Sequence, residues 1–351
     1  MNKNKGNEKD TILVWYLGNK GAGSLLFEKI LKLISLGNVS VLKFDKFLLW
    51  SICPSTKKMP FVRFLYFIRF VRRYYIGKII SKYKDTNVKV ILIIMSSPLD
   101  IDIKRYLPSN IQVVRLIHDS SRHEGDLWPT NRTIKKMLTN GTPLALSEFV
   151  AQELFWRYGI KVQPTIHPLL LEKSQSRNTD LEIGNKYLLI IGRQRKYQNT
   201  RSVIKLWVED LKNLEELQGV RLVVAGNIDW FTYMRWRDSE RILFIRRWLT
   251  DEEFVSLIQR STAVLCFYRS ATQSGVISAC QALGIPFVAT NVGGIPEQAT
   301  FGGGIIVETS KTDSWIRGVK EVMTENVPPV STEIDKVFRK ALLKKLEECR
   351  H

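Results

Sequence analysis

The chain reads as an α/β protein with two parallel sheets, and three observations predict it. Short β-branched runs alternate with stretches of helical period, the alternation occurs in two separate series, and a polar stretch over residues 172–185 divides them. Parallel strands need crossover helices, so this alternation is how βαβ units look in sequence. A length of 351 residues also exceeds what one core normally supports. The expected layout is a first Rossmann-like domain over residues 1–170, a second over 171–330, and a closing basic amphipathic helix over 331–351.

In order, the first series places strands at residues 11–17, 39–44, 88–95, 113–117 and 143–146, with helices near 24–36, 61–84 and 147–158. Ser147 suits the N-cap of the last of these, because its hydroxyl can accept an orphan backbone N–H. The second series has strands at 187–191, 221–225, 242–245, 263–267, 286–289 and 304–307, again with helices between them. No solenoid repeat or low-complexity tract interrupts either series.

The hydrophobic share of 44% and charged share of 25% are those of a globular protein. Four scattered cysteines, Cys53, Cys266, Cys280 and Cys349, form no CxxC pair, so reduced thiols and a cytoplasmic setting are expected. The first ten residues are polar and carry no secretory pattern. No apolar run reaches the roughly 20 residues that span a bilayer.

The net charge of +19 is lopsided: residues 1–170 hold 27 Lys/Arg against 12 Asp/Glu, the remainder 26 against 22. Residues 46–84 contain ten Lys/Arg and no acid, interleaved with Phe61, Phe64, Tyr66, Phe67, Phe70, Tyr74 and Tyr75. Such a segment suits an anionic membrane surface. Equally, its aromatics could face a core while its cations face water. Nucleic acid, the other partner of basic patches, is not expected.

Two stretches carry the chemistry. Gly192-Arg193-Gln194-Arg195-Lys196-Tyr197 follows the strand at 187–191, where ligands of open α/β sheets gather. Three cations just after a glycine suit a diphosphate. Further on, Ser270-Ala271-Thr272-Gln273-Ser274-Gly275-Val276-Ile277 reads as a polar turn opening a helix, and a helix N-terminus presents N–H groups to an anion. Gly284-Ile285-Pro286 and Val292-Gly293-Gly294-Ile295-Pro296-Glu297 follow it.

In this order, and with Val223-Val224-Ala225-Gly226 between them, these segments resemble the nucleotide-sugar domain of GT-B glycosyltransferases of family GT4, in a branch that assembles polysaccharide. The resemblance implies two facing Rossmann-like domains with a cleft between them. It also implies a retaining, metal-independent transfer of a sugar from a nucleoside-diphosphate donor, with no cofactor. Arg193 and Lys196 would balance charge on the leaving diphosphate. Arg195, Thr272, Gln273, Ser274, Gly275, Val276 and Glu297 would bind the donor. The chain departs from the family at three positions. Ala271 and Ala279 replace a pair of glutamates, the second of which holds the donor ribose, and Gln198 stands where a lysine is usual. Lys196 or Arg195 would take that lysine's part.

In the first half, Gly18-Asn19-Lys20-Gly21-Ala22-Gly23-Ser24 follows the first strand but lacks the ending of a P-loop and the spacing of a dinucleotide fingerprint. By resemblance, Gly21 and Gly23 let the backbone approach the donor. His118 and His123 lie with Asp119, Glu124 and Asp126 just after the strand at 113–117, which marks a candidate site. The resemblance gives His118 a contact with the donor sugar. His123 and Asp126 suit the acceptor side, where one could deprotonate a hydroxyl. None of them is expected to hold a metal. Asp100-Ile101-Asp102 looks like a DxD motif but lies beyond Pro98, where carboxylates at a helix start are expected.

These readings converge on a glycosyltransferase. Its acceptor would be a glycan or a polyprenyl-diphosphate-linked saccharide, reached peripherally on the inner membrane face. A non-catalytic glycosyltransferase-like binding subunit and a nucleotide-sugar epimerase of similar architecture are the alternatives.

Overall fold

The computed structural model describes residues 10–18, 22–35, 40–45, 69–83, 85–122, 129–171, 183–184, 186–324 and 327–350. The chain divides into two compact units: Met1–Ile166 with Lys336–His351, and His167–Asp335. Each unit is an α/β layer structure built on a six-stranded sheet whose described pairings are all parallel.

The first sheet contains β1 (Thr11–Trp15), β2 (Ser40–Phe44), β3 (Val88–Ile93), β4 (Gln112–Ile117), β5 (Thr142–Ala145) and the short β6 (Gln163–Pro164), in the order β2-β1-β3-β4-β5-β6. β1 is buried along its whole length, which explains its unbroken apolar run: helices cover both faces of a parallel sheet. Helices α1 (Ala22–Ser35), α2 (Arg69–Lys82), α3 (Asn131–Thr139) and α4 (Glu148–Tyr158) belong to this unit. Ser147 caps α4 by accepting from Val150 N–H at 3.1 Å, and Gly159 closes it in the left-handed conformation. β6, only two residues long, has no signal in the sequence pattern.

The second sheet contains β7 (Tyr187–Gly192), β8 (Arg221–Gly226), β9 (Ile242–Arg246), β10 (Ala263–Cys266), β11 (Phe287–Thr290) and β12 (Gly304–Val307). Its order, β12-β11-β10-β7-β8-β9, runs outward from β7 to β9 and then restarts on the other side at β10. Strand order therefore reverses between β7 and β10, and the loops leaving these two strands diverge to opposite faces. That opens a crevice at their carboxyl ends. Around the sheet lie α5 (Thr200–Glu209), α6 (Trp230–Trp236), α7 (Asp251–Gln259), α8 (Gly275–Leu283), α9 (Ile295–Ala299) and α10 (Thr312–Met323). Trp207, Phe267 and Trp315 fill the core, the last two stacked with centroids 4.7 Å apart.

The last helix, α11 (Ile334–Glu348), forms where the sequence places a basic amphipathic helix, and it buries Phe338, Leu342 and Leu346. Most of it belongs to the first unit, where Arg339 donates to Leu33 C=O at 2.9 Å and Arg350 pairs with Asp10 at 2.8 Å. Among the described residues no helix is long and apolar enough to cross a membrane.

Candidate functional site

The crevice between β7 and β10 is assembled by short backbone links. Arg269, three residues past β10, donates its backbone N–H to Tyr197 C=O at 2.7 Å and its Nε–H to Asn199 Oδ1 at 2.9 Å. Asn199 sits at φ 60°, a left-handed conformation that asparagine tolerates, and its backbone turns the chain into α5. The loops after the two strands are thus tied into one structure, with the rings of Tyr197 and Tyr268 edge to face at 6.3 Å. Sequence reading missed Arg269, which stands exposed here as a further cation.

Polar groups with no other outlet hold the N-terminus of α8. Ser274 Oγ accepts from Ile277 N–H at 3.2 Å, an N-cap. The Ser274 backbone is gripped from both sides by one amide: its N–H donates to Gln298 Oε1 at 2.7 Å, and its C=O accepts from Gln298 Nε2 at 3.2 Å. Gln281 in turn donates to Gln298 C=O at 2.9 Å and Gly302 C=O at 3.0 Å. Thr290 Oγ1 donates to Tyr268 C=O at 2.6 Å, and Tyr268 Oη lies 3.3 Å from Ser274 Oγ. Because the cap takes the third helical N–H, those of Gly275 and Val276 have no acceptor within the helix, the usual state of the first turn. This fixed pair of dipoles favours an anion.

On the β7 side, Arg193 and Lys196 are exposed and Arg195 is half-buried. Gln198, in the family's lysine position, is buried and structural: its Oε1 accepts from Arg195 N–H at 2.8 Å and shapes the loop. Gln194 donates to Ala225 C=O at 3.0 Å and accepts from Thr200 Oγ1, pinning the same loop to β8. Gly192, Gly226 and Arg246 are register partners across the ends of β7, β8 and β9. At Gly226 the backbone has φ 124°, and a Cβ there would fall 1.8 Å from Gly192 C=O, so only glycine fits. The exposed Trp248 ring lies 5.9 Å from the Arg193 guanidinium carbon, within cation–π range. Trp248 also went unread in the sequence, since nothing in its local pattern separates a core tryptophan from an exposed one.

Glu297 lies in the first turn of α9, half-buried, where a carboxylate complements the helix dipole. Ala279 is fully buried on α8, while Ala271 is half-buried with its C=O accepting from Gly294 N–H at 3.3 Å. Thr272 and Gln273 are half-buried in the same loop.

In the first unit His118 directly follows β4, and its Nε2 donates to Ile94 C=O at 2.9 Å. A carbonyl can only accept, so this bond fixes the Nε2–H tautomer and leaves Nδ1 as the acceptor nitrogen. Burial lowers the ring's pKa, although Asp119 opposes the shift, and His118 is neutral near pH 7. Gly23 packs closely on Tyr16 and Met95, so its lack of a side chain has a packing reason of its own. Gly21, His123 and Asp126 lie outside the described residues.

Asp102 does precede a short 3₁₀ helix, Ile103–Tyr106, as expected of a helix start, but the expectation that Asp100 and Asp102 act as capping carboxylates is corrected by the structure. Both are buried in ion pairs: Asp100 with Arg115 at 2.7 Å and Asp102 with Arg72 at 2.8 Å. Asp100 also accepts from Ser97 N–H at 2.8 Å, but Asp102 makes no side-chain cap. A three-residue pattern cannot reveal partners 15 and 30 positions away. No cluster of three or more His, Cys, Asp or Glu suited to a metal occurs among the described residues. Cys266 and Cys280 are free and buried, and burial pushes the Cys266 thiol up to about 12, away from thiolate chemistry.

The chain carries a group 1 glycosyltransferase domain: the family described as glycosyl transferases group 1 matches residues 185–325, which contain all of the second sheet. No curated protein matches the chain in sequence. Solved structures match in fold. Sucrose-phosphate synthase from Thermosynechococcus elongatus aligns with TM-score 0.59 at 12% identity, over 97% of this chain and 96% of that one. The lipopolysaccharide outer core galactosyltransferase WaaB aligns with TM-score 0.59 at 12% identity, over 96% and 99%. UDP-GlcNAc 2-epimerase from Methanocaldococcus jannaschii aligns with TM-score 0.59 at 13% identity, over 97% and 99%. The fold is therefore GT-B-like, with two Rossmann domains.

Proposed function

We propose that the protein is a retaining glycosyltransferase that moves a sugar from a nucleoside-diphosphate donor to a glycan or lipid-linked saccharide. One observation carries the reading. Within the matched domain, Arg193, Lys196 and Arg269 are held by linked loops at the switch point that also bears the N-terminus of α8. As the bond from the anomeric carbon to the diphosphate breaks, positive charge develops on the sugar and negative charge on the leaving group. Fixed cations and amides aimed at that leaving group stabilise the transition state more than the ground state. Gly275 and Val276 supply the amides, Thr272 and Gln273 the neighbouring polar contacts, and Arg195 further charge. The exposed Trp248 ring beside Arg193 offers an aromatic face on which a nucleobase can stack. Neutral His118 acts as a hydrogen-bonding group towards the donor sugar, and His123 and Asp126 act on the acceptor side. The M. jannaschii relative has been solved with UDP-GlcNAc and UDP, which supports a nucleotide-sugar ligand for this fold.

Peripheral docking on the inner membrane face belongs to the same reading. On α2, Tyr75, Ile76 and Ile79 face the core, while Phe70 and Tyr74 are exposed with Arg69, Arg73, Lys78 and Lys82. Cations and aromatics without acids suit anionic headgroups.

The test is nucleotide-sugar turnover, with and without saccharide acceptors, in the wild type and in His118→Ala and Arg193→Ala. Acceptor-dependent product that both variants lose supports the transferase. Identical background release in all three points to a binding subunit, and interconversion of the nucleotide sugar without acceptor points to an epimerase.

A further inference from the structure

The first unit contains a cavity that the transfer reaction does not use. It lies at the amino ends of β3 and β4, bordered by Val88 and Ile111, with a volume of about 450 Å³. His118 follows the opposite end of this sheet. The six residues of β3 alone, at about 3.3 Å each, put roughly 20 Å between the two ends. The cavity is of the size that small-molecule sites take, about 300–1,000 Å³. Its apolar side is formed by the half-buried Ile80 and Tyr83, backed by the buried Leu13, Val88 and Ile111. Its rim is polar and carries Asp85, Thr86, Asn87 and Asn110. Asp85 and Asn110 are exposed, and neither side chain has a hydrogen-bond partner among the described residues.

We propose that this cavity binds a neutral saccharide unit, as a second carbohydrate site apart from the donor site. A pyranose has an apolar C–H face and a ring of hydroxyls at its edge, which matches an apolar side next to a hydrogen-bonding rim. A carboxylate accepts from two adjacent hydroxyls, and a carboxamide both donates and accepts. In a chain of net charge +19, the described residues lining this cavity include one carboxylate and no cation, which suits a neutral polyol. The site does not depend on the transferase assignment, since it needs neither donor nor catalysis.

The experiment is saturation-transfer NMR and calorimetry with the methyl glycosides of glucose, galactose, mannose and N-acetylglucosamine, each in the presence of saturating UDP. At least one glycoside is expected to bind, and Asp85→Ala and Asn110→Ala are each expected to weaken it at least tenfold. Asn110→Asp, which keeps the size of the side chain, serves as a second rim variant and should also weaken binding. Both positions are exposed, so unchanged circular dichroism and melting are expected in all variants. The proposal is overturned if no glycoside binds, if binding survives in both alanine variants, or if inorganic phosphate competes for the site. Nucleotide-sugar turnover on a small acceptor should stay at the wild-type level in these variants, which separates failure of this site from failure of the transferase reading.

Discussion

In the first unit two arginines are buried in ion pairs: Arg115, within β4, is fully enclosed against Asp100, and Arg72, on α2, lies against Asp102. In the second unit three cations of the loops after β7 and β10 stay outside. Arg193, Lys196 and Arg269 are exposed, and the buried polar groups beneath them are the neutral amides and hydroxyls of Gln198, Gln281, Gln298, Ser274 and Thr290. The difference separates structural charge from working charge. An arginine locked to a buried carboxylate has its field cancelled locally, whereas an exposed one held by a neutral framework can still meet an anion.

Removing charges from the two units should therefore have opposite consequences. The largest effect expected is on stability, in the first unit. Asp100→Ala leaves Arg115 buried without its partner and should lower the unfolding free energy by about 3–5 kcal/mol in urea titration. Replacing both partners with apolar residues, Asp100→Leu with Arg115→Met, should recover most of that loss. Arg193→Ala should do the reverse, lowering kcat/KM for the nucleotide sugar by about 100- to 1,000-fold. Its unfolding free energy should stay within about 0.5 kcal/mol of wild type. Equal losses of stability in the two variants would erase the distinction.

A smaller effect is expected from Ser274→Ala. Loss of this N-cap should cost about 1 kcal/mol of stability and raise the KM for donor as the first turn of α8 loosens. The smallest effect concerns pH. Burial lowers the pKa of His118, so the unfolded chain binds its proton more readily than the folded one. Stability from this group is complete above the unfolded histidine value, about 6.5. It falls as pH drops below that value, until the folded ring also protonates. His118→Gln should flatten this part of the curve, read as urea midpoints from pH 7 down to 5.

The sequence reveals the parts of the fold whose signals are local. Parallel strands such as β7 read as nearly continuous apolar runs, and Ser147 announces its helix by position. The two candidate site loops are legible for the same reason, as glycines and polar or cationic residues that follow strands. Contacts set by the fold were not legible. Gln298 grips Ser274 from 24 residues away, Arg269 reaches Asn199 across 70, and Asp102 finds Arg72 across 30. Trp248 meets Arg193 from 55 residues away, which no window around residue 248 contains.

The central claim is that the second unit holds a nucleoside diphosphate at the switch point between β7 and β10. Titration calorimetry with UDP, GDP, ADP and CMP, on the wild type and Arg193→Ala, tests it most directly. The account predicts that at least one diphosphate binds more tightly than the monophosphate CMP, and that Arg193→Ala weakens it at least tenfold with the fold intact. Absence of binding by all three diphosphates, or full affinity retained in Arg193→Ala, would contradict it.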